Sequence, residues 1–210
     1  MAKQRKDEAV HLAMRPQGLA GRAFGVAMEA INTPAYAFAL ELLAVGERDD
    51  VLEIGFGTGR MIELLLAATR GRVFGVDPTP TMVEVARAKP GVARAAARAV
   101  LRLGGDRDLD WLGQPVDRVV ANHSFQFWPD PAATVRRLHD LLRPDGRIVL
   151  VLRDHTTATP DWLPNPLSKQ TDEALTAVQL FEQNGFRAQL VHRGRMVGLV
   201  ADKPTPRSSD

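Results

Sequence analysis

Glycine and carboxylate residues follow three short apolar segments of this chain, and they could bind a small polar ligand. Val51–Ile54 runs directly into glycines at positions 55, 57 and 59. Because glycine tolerates positive φ and has no side chain, a ligand can approach the backbone of such a loop closely. Asp77 ends the second apolar segment, and Gly104-Gly105-Asp106 follows the third. Carboxylates at these points can accept hydrogen bonds from ribose hydroxyls and from an adenine amino group.

The elements that would position these residues alternate between the strand period and the helix period. Short apolar runs predict strands at Val51–Ile54, Val73–Val76, Val100–Leu103, Val116–Ala121 and Arg147–Leu152. Helical spacing and end signals predict helices over 59–69, 79–88, 131–142 and 171–184. Arg193-Gly194, between the segments 186–192 and 195–201, predicts a closing hairpin. The predicted fold class is therefore α/β, a Rossmann-like, doubly wound, mostly parallel sheet of seven strands that ends in an antiparallel hairpin.

The length of the chain predicts one domain with short appendages. A chain of 210 residues can bury a core without disulfides or metals. We expect residues 1–49 to form a helical segment packed on the body, and residues 50–202 to form the ligand-binding domain. Residues 203–210 are polar and include two prolines, so they are predicted to be a disordered tail.

Composition and charge exclude several kinds of site. The chain has no cysteine, which excludes disulfides and thiolate zinc sites, and its five histidines form no i, i+4 pair, so no metal is predicted. The net charge is only +2 and the basic residues are spread along the chain, a pattern that disfavours a nucleic-acid partner. No apolar run approaches the roughly 18 residues of a membrane span, and no signal-peptide pattern is present. We expect a cytoplasmic protein, and its oligomeric state stays open.

Together these segments resemble the class I S-adenosylmethionine-dependent methyltransferases, particularly the small bacterial enzymes that act on small molecules. Val51–Gly59 matches the first motif of that family, with Glu53 as its acidic member. Gly75–Pro78 matches the second motif, and Gly105-Asp106 matches the third. The segments 121–131 and 141–148 also resemble the family, the second with Asp145 where glycine is common.

The resemblance implies that S-adenosylmethionine is the cofactor and S-adenosylhomocysteine the product. It implies that Asp77 holds the ribose and that Asn122 lies near the sulfonium and the methionine part. It also implies that Asp106, with the backbone at Arg107, reads the adenine edge. Residues 15–32 resemble a segment that covers the cofactor in some relatives. The other implied contacts are Gly55, Gly57 and Gly59 beside the methionine part, and Pro78 and Met82 against adenine.

The resemblance further implies a reaction, the in-line displacement of a methyl group from a sulfonium. Because the cofactor is already activated, the protein mainly supplies alignment, and no metal is required. A general base would accelerate attack by a hydroxyl, and the candidates after the fourth and fifth strands are His123, Asp154 and His155. Phe125 and Trp128 either line an acceptor pocket or pack in the core.

Three other functions fit parts of this pattern. A nicotinamide-dependent oxidoreductase shares the strand, the glycine loop and the terminal aspartate, but the spacing here is G-x-G-x-G, followed by Arg60. A nucleic-acid methyltransferase is disfavoured because no Asn-Pro-Pro-Tyr type of motif follows the fourth strand. A non-catalytic protein that binds S-adenosylmethionine would keep the same site and stays open. The sequence does not identify the small-molecule methyl acceptor.

Overall fold

The structure is a computed structural model, and it describes residues 18–154, 168–169 and 171–205. The helices in this part of the chain are α1 (Gly18–Leu43), α2 (Arg60–Ala68), α3 (Pro80–Ala88), α4 (Pro90–Arg94), α5 (Pro131–Leu141) and α6 (Thr171–Gln183). The strands are β1 (Val51–Ile54), β2 (Val73–Asp77), β3 (Ala99–Leu103), β4 (Val116–Asn122), β5 (Leu142–Asp154), β6 (Ser168–Lys169), β7 (Arg187–Arg193) and β8 (Met196–Asp202). Short 3₁₀ turns at Asp110–Leu112 and Phe125–Phe127 precede and follow β4.

Seven strands form one sheet in the order β3-β2-β1-β4-β5-β8-β7, and the two-residue β6 pairs with the end of β5. The strands β1 to β5 are parallel to one another. Strand β8 runs antiparallel to both β5 and β7, so a hairpin closes this edge of the sheet. The predicted α/β class, the seven-stranded sheet and its closing hairpin are therefore confirmed.

Helices cover both faces of the sheet, which explains why the central strands read as continuous apolar runs. Every residue of β1 and β2 is buried. On one face, α5 and α6 pack through side chains such as Leu138 and Phe181. On the other face, α1, α2 and α3 pack through side chains such as Phe38, Leu65 and Val83. The burial of these two apolar layers is the main favourable contribution to the stability of the fold.

Helix α1 precedes the sheet in the chain but shares its core. It is one helix of 26 residues with Pro34 inside it. Phe38 and Leu43 are fully buried against the sheet. The end of the helix is held by Arg147, whose guanidinium donates a hydrogen bond to the Leu42 carbonyl oxygen at 2.9 Å. The domain boundaries predicted from the sequence stay predictions, and residues 1–17 lie outside the described part.

Strand β5 begins earlier than the sequence predicts, at Leu142 rather than at Arg147. The sequence predicts a helix stop and a turn at Pro144 and Gly146, but Leu142 already pairs with Val116 of β4. Pairing with a distant strand thus overrides the local turn signal, a tertiary effect that single-sequence periodicity does not capture.

The residues Lys203–Thr205 are hydrogen-bonded to the body, although the sequence predicts a disordered tail from residue 203. The Lys203 ammonium donates to the carbonyl oxygens of His139 at 2.6 Å and Leu142 at 2.8 Å. The Thr205 hydroxyl donates to Asp145 at 2.5 Å. The predicted tail is therefore corrected for these three residues, because a lysine can satisfy the free carbonyl groups at a helix end. Residues 206–210 lie outside the described part.

Gly71 precedes β2 and lies where the chain segments before β1 and β2 approach each other closely. A Cβ on Gly71 would overlap the carbonyl oxygen of Asp49 and lie 2.9 Å from that of Arg48. Because backbone atoms cannot move aside cheaply, we expect Gly71→Ala to lower the free energy of unfolding by about 1–3 kcal/mol. Chemical denaturation measures this loss, with Gly105→Ala as a control whose Cβ would meet nothing nearer than 3.6 Å. Equal stability of the two variants would contradict the close approach.

Candidate functional site

The glycine loop lies at the carboxyl ends of β1 and β4, where the strand order reverses. In the sheet, β2 and β3 lie on one side of β1, and β4 lies next to β1 on its other side. In open parallel sheets such a point forms a crevice for ligands. The loops after the two strands meet, because the Ser124 hydroxyl donates a hydrogen bond to the Ile54 carbonyl oxygen at 2.5 Å.

The three glycines after β1 all adopt positive φ, but their surroundings differ. The φ angles are 77° at Gly55, 51° at Gly57 and 81° at Gly59. A Cβ on Gly55 would lie 2.5 Å from Ser124 Cβ, and one on Gly59 would lie 2.6 Å from Ala86 Cβ. A Cβ on Gly57 would meet no described atom within 4 Å. Gly57 therefore faces open space, whereas Gly55 and Gly59 let neighbouring elements pack closely.

Asp77 ends β2 and holds the glycine loop in place. Its Oδ2 accepts a hydrogen bond from the Gly57 N–H at 2.8 Å, and its Oδ1 accepts one from the Thr79 N–H at 2.9 Å. Burial raises the pKa of this carboxyl, and the hydrogen bonds from Gly57 and Thr79 oppose that shift. The Thr79 side chain also donates to this carboxylate, which has about four acceptor positions, so Asp77 keeps a position for a ligand hydroxyl.

Glu53 and Asn122 are buried polar residues with atoms that lack hydrogen-bond partners. Glu53 is 1% exposed and Asn122 is 8% exposed. Glu53 Oε2 and both amide atoms of Asn122 have no partner. Glu53 pairs with Val120 in the register of β1 and β4, so Asn122 lies two residues further along the same face. Because unpartnered buried polar groups cost free energy, they indicate a ligand that supplies the missing partners.

The electrostatics of this face favour a positively charged ligand. Burial and the nearby Asp77 carboxylate raise the pKa of Glu53 well above its usual range. A cation next to two buried carboxyl groups would relieve both the desolvation and the repulsion between them. The methionine part of S-adenosylmethionine carries an ammonium and a sulfonium, so the residues present fit that cofactor.

The residues predicted to contact adenine lie around the ends of β2 and β3, and their roles stay predictions. Asp106 is buried, and its carboxylate accepts a hydrogen bond from the buried hydroxyl of Thr134 in the first turn of α5. Arg107 and Pro78 are exposed. Met82 is buried, and a Cβ on Gly25 of α1 would lie 3.5 Å from its sulfur. Asp106 and Met82 are therefore already in contact with other parts of the chain, whereas Arg107 and Pro78 are exposed.

Gln126, in the turn after β4, is a polar residue of this site that the sequence did not reveal. His123 has a φ of 54°, and its N–H donates to the Val151 carbonyl oxygen at 2.9 Å. Gln126 Nε2 donates to the His123 carbonyl oxygen at 2.8 Å, while Gln126 Oε1 and Trp128 Nε1 are buried without partners. Trp128 packs edge to face on Phe125, with the ring centroids 5.0 Å apart in the core. No motif or periodicity marks Gln126, so only the turn geometry identifies it.

Helix α1 lies over the glycine loop and is tied to it. The Thr58 hydroxyl donates a hydrogen bond to the Glu29 carboxylate at 2.7 Å, and Lys89 Nζ lies 3.1 Å from the same carboxylate. A Cβ on Gly25 would lie 2.8 Å from Thr58 Cγ2, so the helix backbone approaches the loop closely. The described part of the segment 15–32 thus contacts the loop. The sequence did not point to Glu29, Thr58 or Lys89, because they lie far apart in the chain.

The three candidate bases are described to different extents. His123 lies at the carboxyl end of β4, whereas Asp154 is the last residue of β5 and its side chain lies outside the described residues. His155 also lies outside them. Among the residues that the structure describes, no group of three or more His, Asp or Glu side chains could hold a metal ion. No helix in that part of the chain is long and apolar enough to cross a membrane.

The sheet has this strand order and a closing antiparallel hairpin, with a glycine loop after β1 and a carboxylate at the end of β2. Together these features define the Rossmann-like class I methyltransferase fold. Residues 52–150 match the family described as Methyltransferase domain. Residues 52–150 therefore form a class I S-adenosylmethionine-dependent methyltransferase domain, and S-adenosylmethionine is the cofactor of that class. The family and the cofactor predicted from the sequence are thus confirmed.

Curated relatives match the same part of the chain. An uncharacterized methyltransferase of Oceanobacillus iheyensis is 30% identical over 118 residues, which cover 54% of this chain and 51% of that protein. Nocamycin O-methyltransferase of Saccharothrix syringae is 34% identical over 122 residues, which cover 56% of this chain and 42% of that protein. The match thus spans about half of the length of these relatives. An O-methyltransferase family protein from Burkholderia thailandensis shares the fold, with a TM-score of 0.75 and 16% identity over 98% of this chain and 69% of that chain.

The raised pKa of Glu53 predicts a pH-dependent gain in stability for Glu53→Gln. A carboxyl whose pKa is raised by folding destabilises the folded state as pH rises above its unfolded-state pKa, because the folded chain binds the proton more tightly. We expect the ligand-free variant to have a higher free energy of unfolding than wild type at neutral pH. The difference should shrink as pH falls below the ordinary glutamate pKa of 4.5.

Denaturant unfolding followed by circular dichroism across this pH range measures the difference. Asp140→Asn is the matched control, because Asp140 is an exposed carboxylate on α5 and should give no such gain. A gain for Glu53→Gln that does not change with pH would show that the charge of Glu53 is not its cause.

Proposed function

We propose that this protein transfers a methyl group from S-adenosylmethionine to a small-molecule acceptor. The observation that carries this proposal is the set of unpartnered buried atoms, Glu53 Oε2 and the Asn122 amide, at the strand ends that the Gly57 loop borders. Class I folds bind their cofactor at this edge of the sheet. An ammonium and a sulfonium would offset the cost of burying these groups.

The proposed cofactor contacts divide between its two ends. Glu53 and Asn122 Oδ1 accept hydrogen bonds from the ammonium of the methionine part. Asp77 accepts a hydrogen bond from a ribose hydroxyl through the position that Gly57 and Thr79 leave free. Asp106, oriented by its hydrogen bond from Thr134, accepts one from the adenine amino group.

The proposed reaction depends mainly on alignment. The cofactor supplies a methyl group that is already activated on a sulfonium. Good alignment of the acceptor with that group can contribute about 7–11 kcal/mol to catalysis. The hydrogen bond from Thr58 to Glu29 supports this role, because it holds α1 against the loop that would position the cofactor.

His123 is the proposed general base for a hydroxyl acceptor. It follows β4 directly, is half-buried, and has a φ of 54°, which is uncommon for a residue other than glycine. Residues held in such conformations cluster at active sites. Its N–H donates to Val151 and its carbonyl oxygen accepts from Gln126, so the backbone of His123 is fixed. The imidazole therefore has a defined position from which to accept a proton.

A small-molecule acceptor is supported by a relative and by the charge pattern. One relative is named nocamycin O-methyltransferase, and the basic residues of this chain are dispersed rather than concentrated. A nucleic-acid acceptor and a non-catalytic S-adenosylmethionine-binding protein are the alternatives. Formation of S-adenosylhomocysteine with a panel of small hydroxylated, carboxylated and amino compounds distinguishes them.

Asp77→Ala tests the cofactor site. We expect wild type to bind S-adenosylhomocysteine at one site in calorimetric titration, and the variant to bind at least about tenfold more weakly, because it loses the ribose contacts and the anchor of Gly57. Asp140→Ala, which removes an exposed carboxylate on α5, should bind as wild type does. If folded wild type bound neither S-adenosylmethionine nor S-adenosylhomocysteine, the proposed function would be wrong.

His123→Asn tests the proposed base, because asparagine also tolerates positive φ. We expect turnover with a hydroxyl acceptor to fall by about 10²–10⁴-fold, while the affinity for S-adenosylhomocysteine stays within twofold of wild type. Initial rates of S-adenosylhomocysteine formation and calorimetry supply the two measurements. Unchanged turnover would exclude His123 as the base, and cofactor binding without turnover on any acceptor would favour the non-catalytic alternative.

A further inference from the structure

The Asp106 carboxylate is hydrogen-bonded to Thr134, a residue from a distant part of the chain. Asp106 lies in the turn after β3, and Thr134 lies in the first turn of α5. Both residues are buried. The Thr134 hydroxyl donates a hydrogen bond to Asp106 Oδ2. Asp106 Oδ1 accepts no hydrogen bond from the described residues, so this oxygen remains available to a ligand.

The turn after β3 fixes the backbone of Asp106. The Gly105 N–H donates to the Asp108 carboxylate at 2.7 Å, and the Asp108 N–H donates to the Gly105 carbonyl oxygen at 3.1 Å. The Gly104 N–H donates to the Asp77 carbonyl oxygen at 3.0 Å, which connects the turn to the end of β2. The carboxylate itself could still rotate, because the last torsion of an aspartate side chain has a broad energy well.

The start of α5 fixes the position of Thr134. Asp130 caps this helix, since its Oδ1 accepts a hydrogen bond from the Ala133 N–H at 3.0 Å. The Thr134 hydroxyl also lies 3.2 Å from the Asp130 carbonyl oxygen. A hydroxyl has one proton to donate, and the hydrogen bond to a charged carboxylate is the stronger of the two. Thr134 therefore holds Oδ2 of Asp106 and leaves Oδ1 for the ligand.

We propose that Thr134 is a positioning residue for recognition of the adenine ring, and that it acts through Asp106. The inference rests on the proposed function, in which Asp106 accepts a hydrogen bond from the adenine amino group. A carboxylate held in one orientation discriminates against a purine without that amino group, because such a ligand leaves a buried acceptor unpaired. A carboxylate that can rotate discriminates less.

Thr134→Val tests this role with two ligands that differ only in the amino group. The ligands are S-adenosylhomocysteine and its analogue in which a hydrogen replaces the 6-amino group of the purine. We expect calorimetry to show an affinity of the variant for S-adenosylhomocysteine about tenfold below that of wild type, because a hydrogen bond to an oriented charged group is weakened. The affinity for the analogue should stay within twofold of wild type.

Three further variants test whether the effect depends on the hydroxyl and on Asp106. Thr134→Ser keeps the hydroxyl and should keep the wild-type preference for the amino group. Thr134→Ala should repeat the result of Thr134→Val with a smaller side chain, so a folding defect specific to valine does not block the test. In an Asp106→Asn background, Thr134→Val should cause no further loss of preference, because the two residues act as one unit.

Thr69→Val is the matched control for the loss of a buried threonine hydroxyl. Thr69 is buried, and its hydroxyl donates to the carbonyl oxygens of Glu47 at 3.1 Å and Asp49 at 2.9 Å, before β1. We expect this variant to have a lower Tm in thermal unfolding of the ligand-free protein, but the same preference between the two ligands as wild type.

The outcomes separate this inference from the proposed function. An equal loss of affinity for both ligands in Thr134→Val and Thr134→Ala, or no loss for either, would overturn the role of Thr134 while leaving the cofactor site intact. Equal affinity of wild type for the two ligands would overturn it as well. Absence of S-adenosylhomocysteine binding to folded wild type would instead contradict the proposed function. A loss confined to the ligand with the amino group, and absent in Thr134→Ser, supports the assignment.

Discussion

Two carboxyl groups buried on neighbouring strands, Glu53 of β1 and Asp77 of β2, are the constraint on which the rest of the site depends. Burial raises the pKa of both groups, and Asp77 raises that of Glu53 further. The hydrogen bonds from Gly57 and Thr79 compensate Asp77 within the chain, whereas Glu53 Oε2 has no partner. The ligand-free fold therefore carries an unfavourable electrostatic contribution that a cationic ligand would remove, as is common where stability is given up for function.

Helix α1 connects this electrostatic site to the hydrophobic core. Its apolar side places Phe38 against the sheet, and its polar side places Glu29 against Thr58 of the glycine loop. The free energy that packs the helix thus also holds its polar residues over the loop. Because one rigid element serves both purposes, substitutions that loosen its packing should affect the site even when they lie far from it.

Much of the site could be predicted from the sequence because parallel strands end at the same edge of a sheet. Asp77, Asp106 and Asn122 each lie at or just beyond the carboxyl end of a strand, where the apolar runs placed them. The start of β5 and the anchoring of Lys203 could not be predicted in this way. Both depend on partners elsewhere in the chain, Val116 for β5 and the end of α5 for Lys203, which override the local signals.

The sequence by itself determined the succession of the five parallel strands, the closing hairpin and the glycine loop, because these follow from local periodicity and from a contiguous motif. The class of cofactor came from the resemblance of these segments to a known family. Only the tertiary structure decided that Gly57 faces open space while Gly55 packs on Ser124. It also decided that Thr58 of the glycine loop donates a hydrogen bond to Glu29 of α1. These features depend on contacts between residues that are distant in the chain, and no pattern within a single segment encodes such contacts.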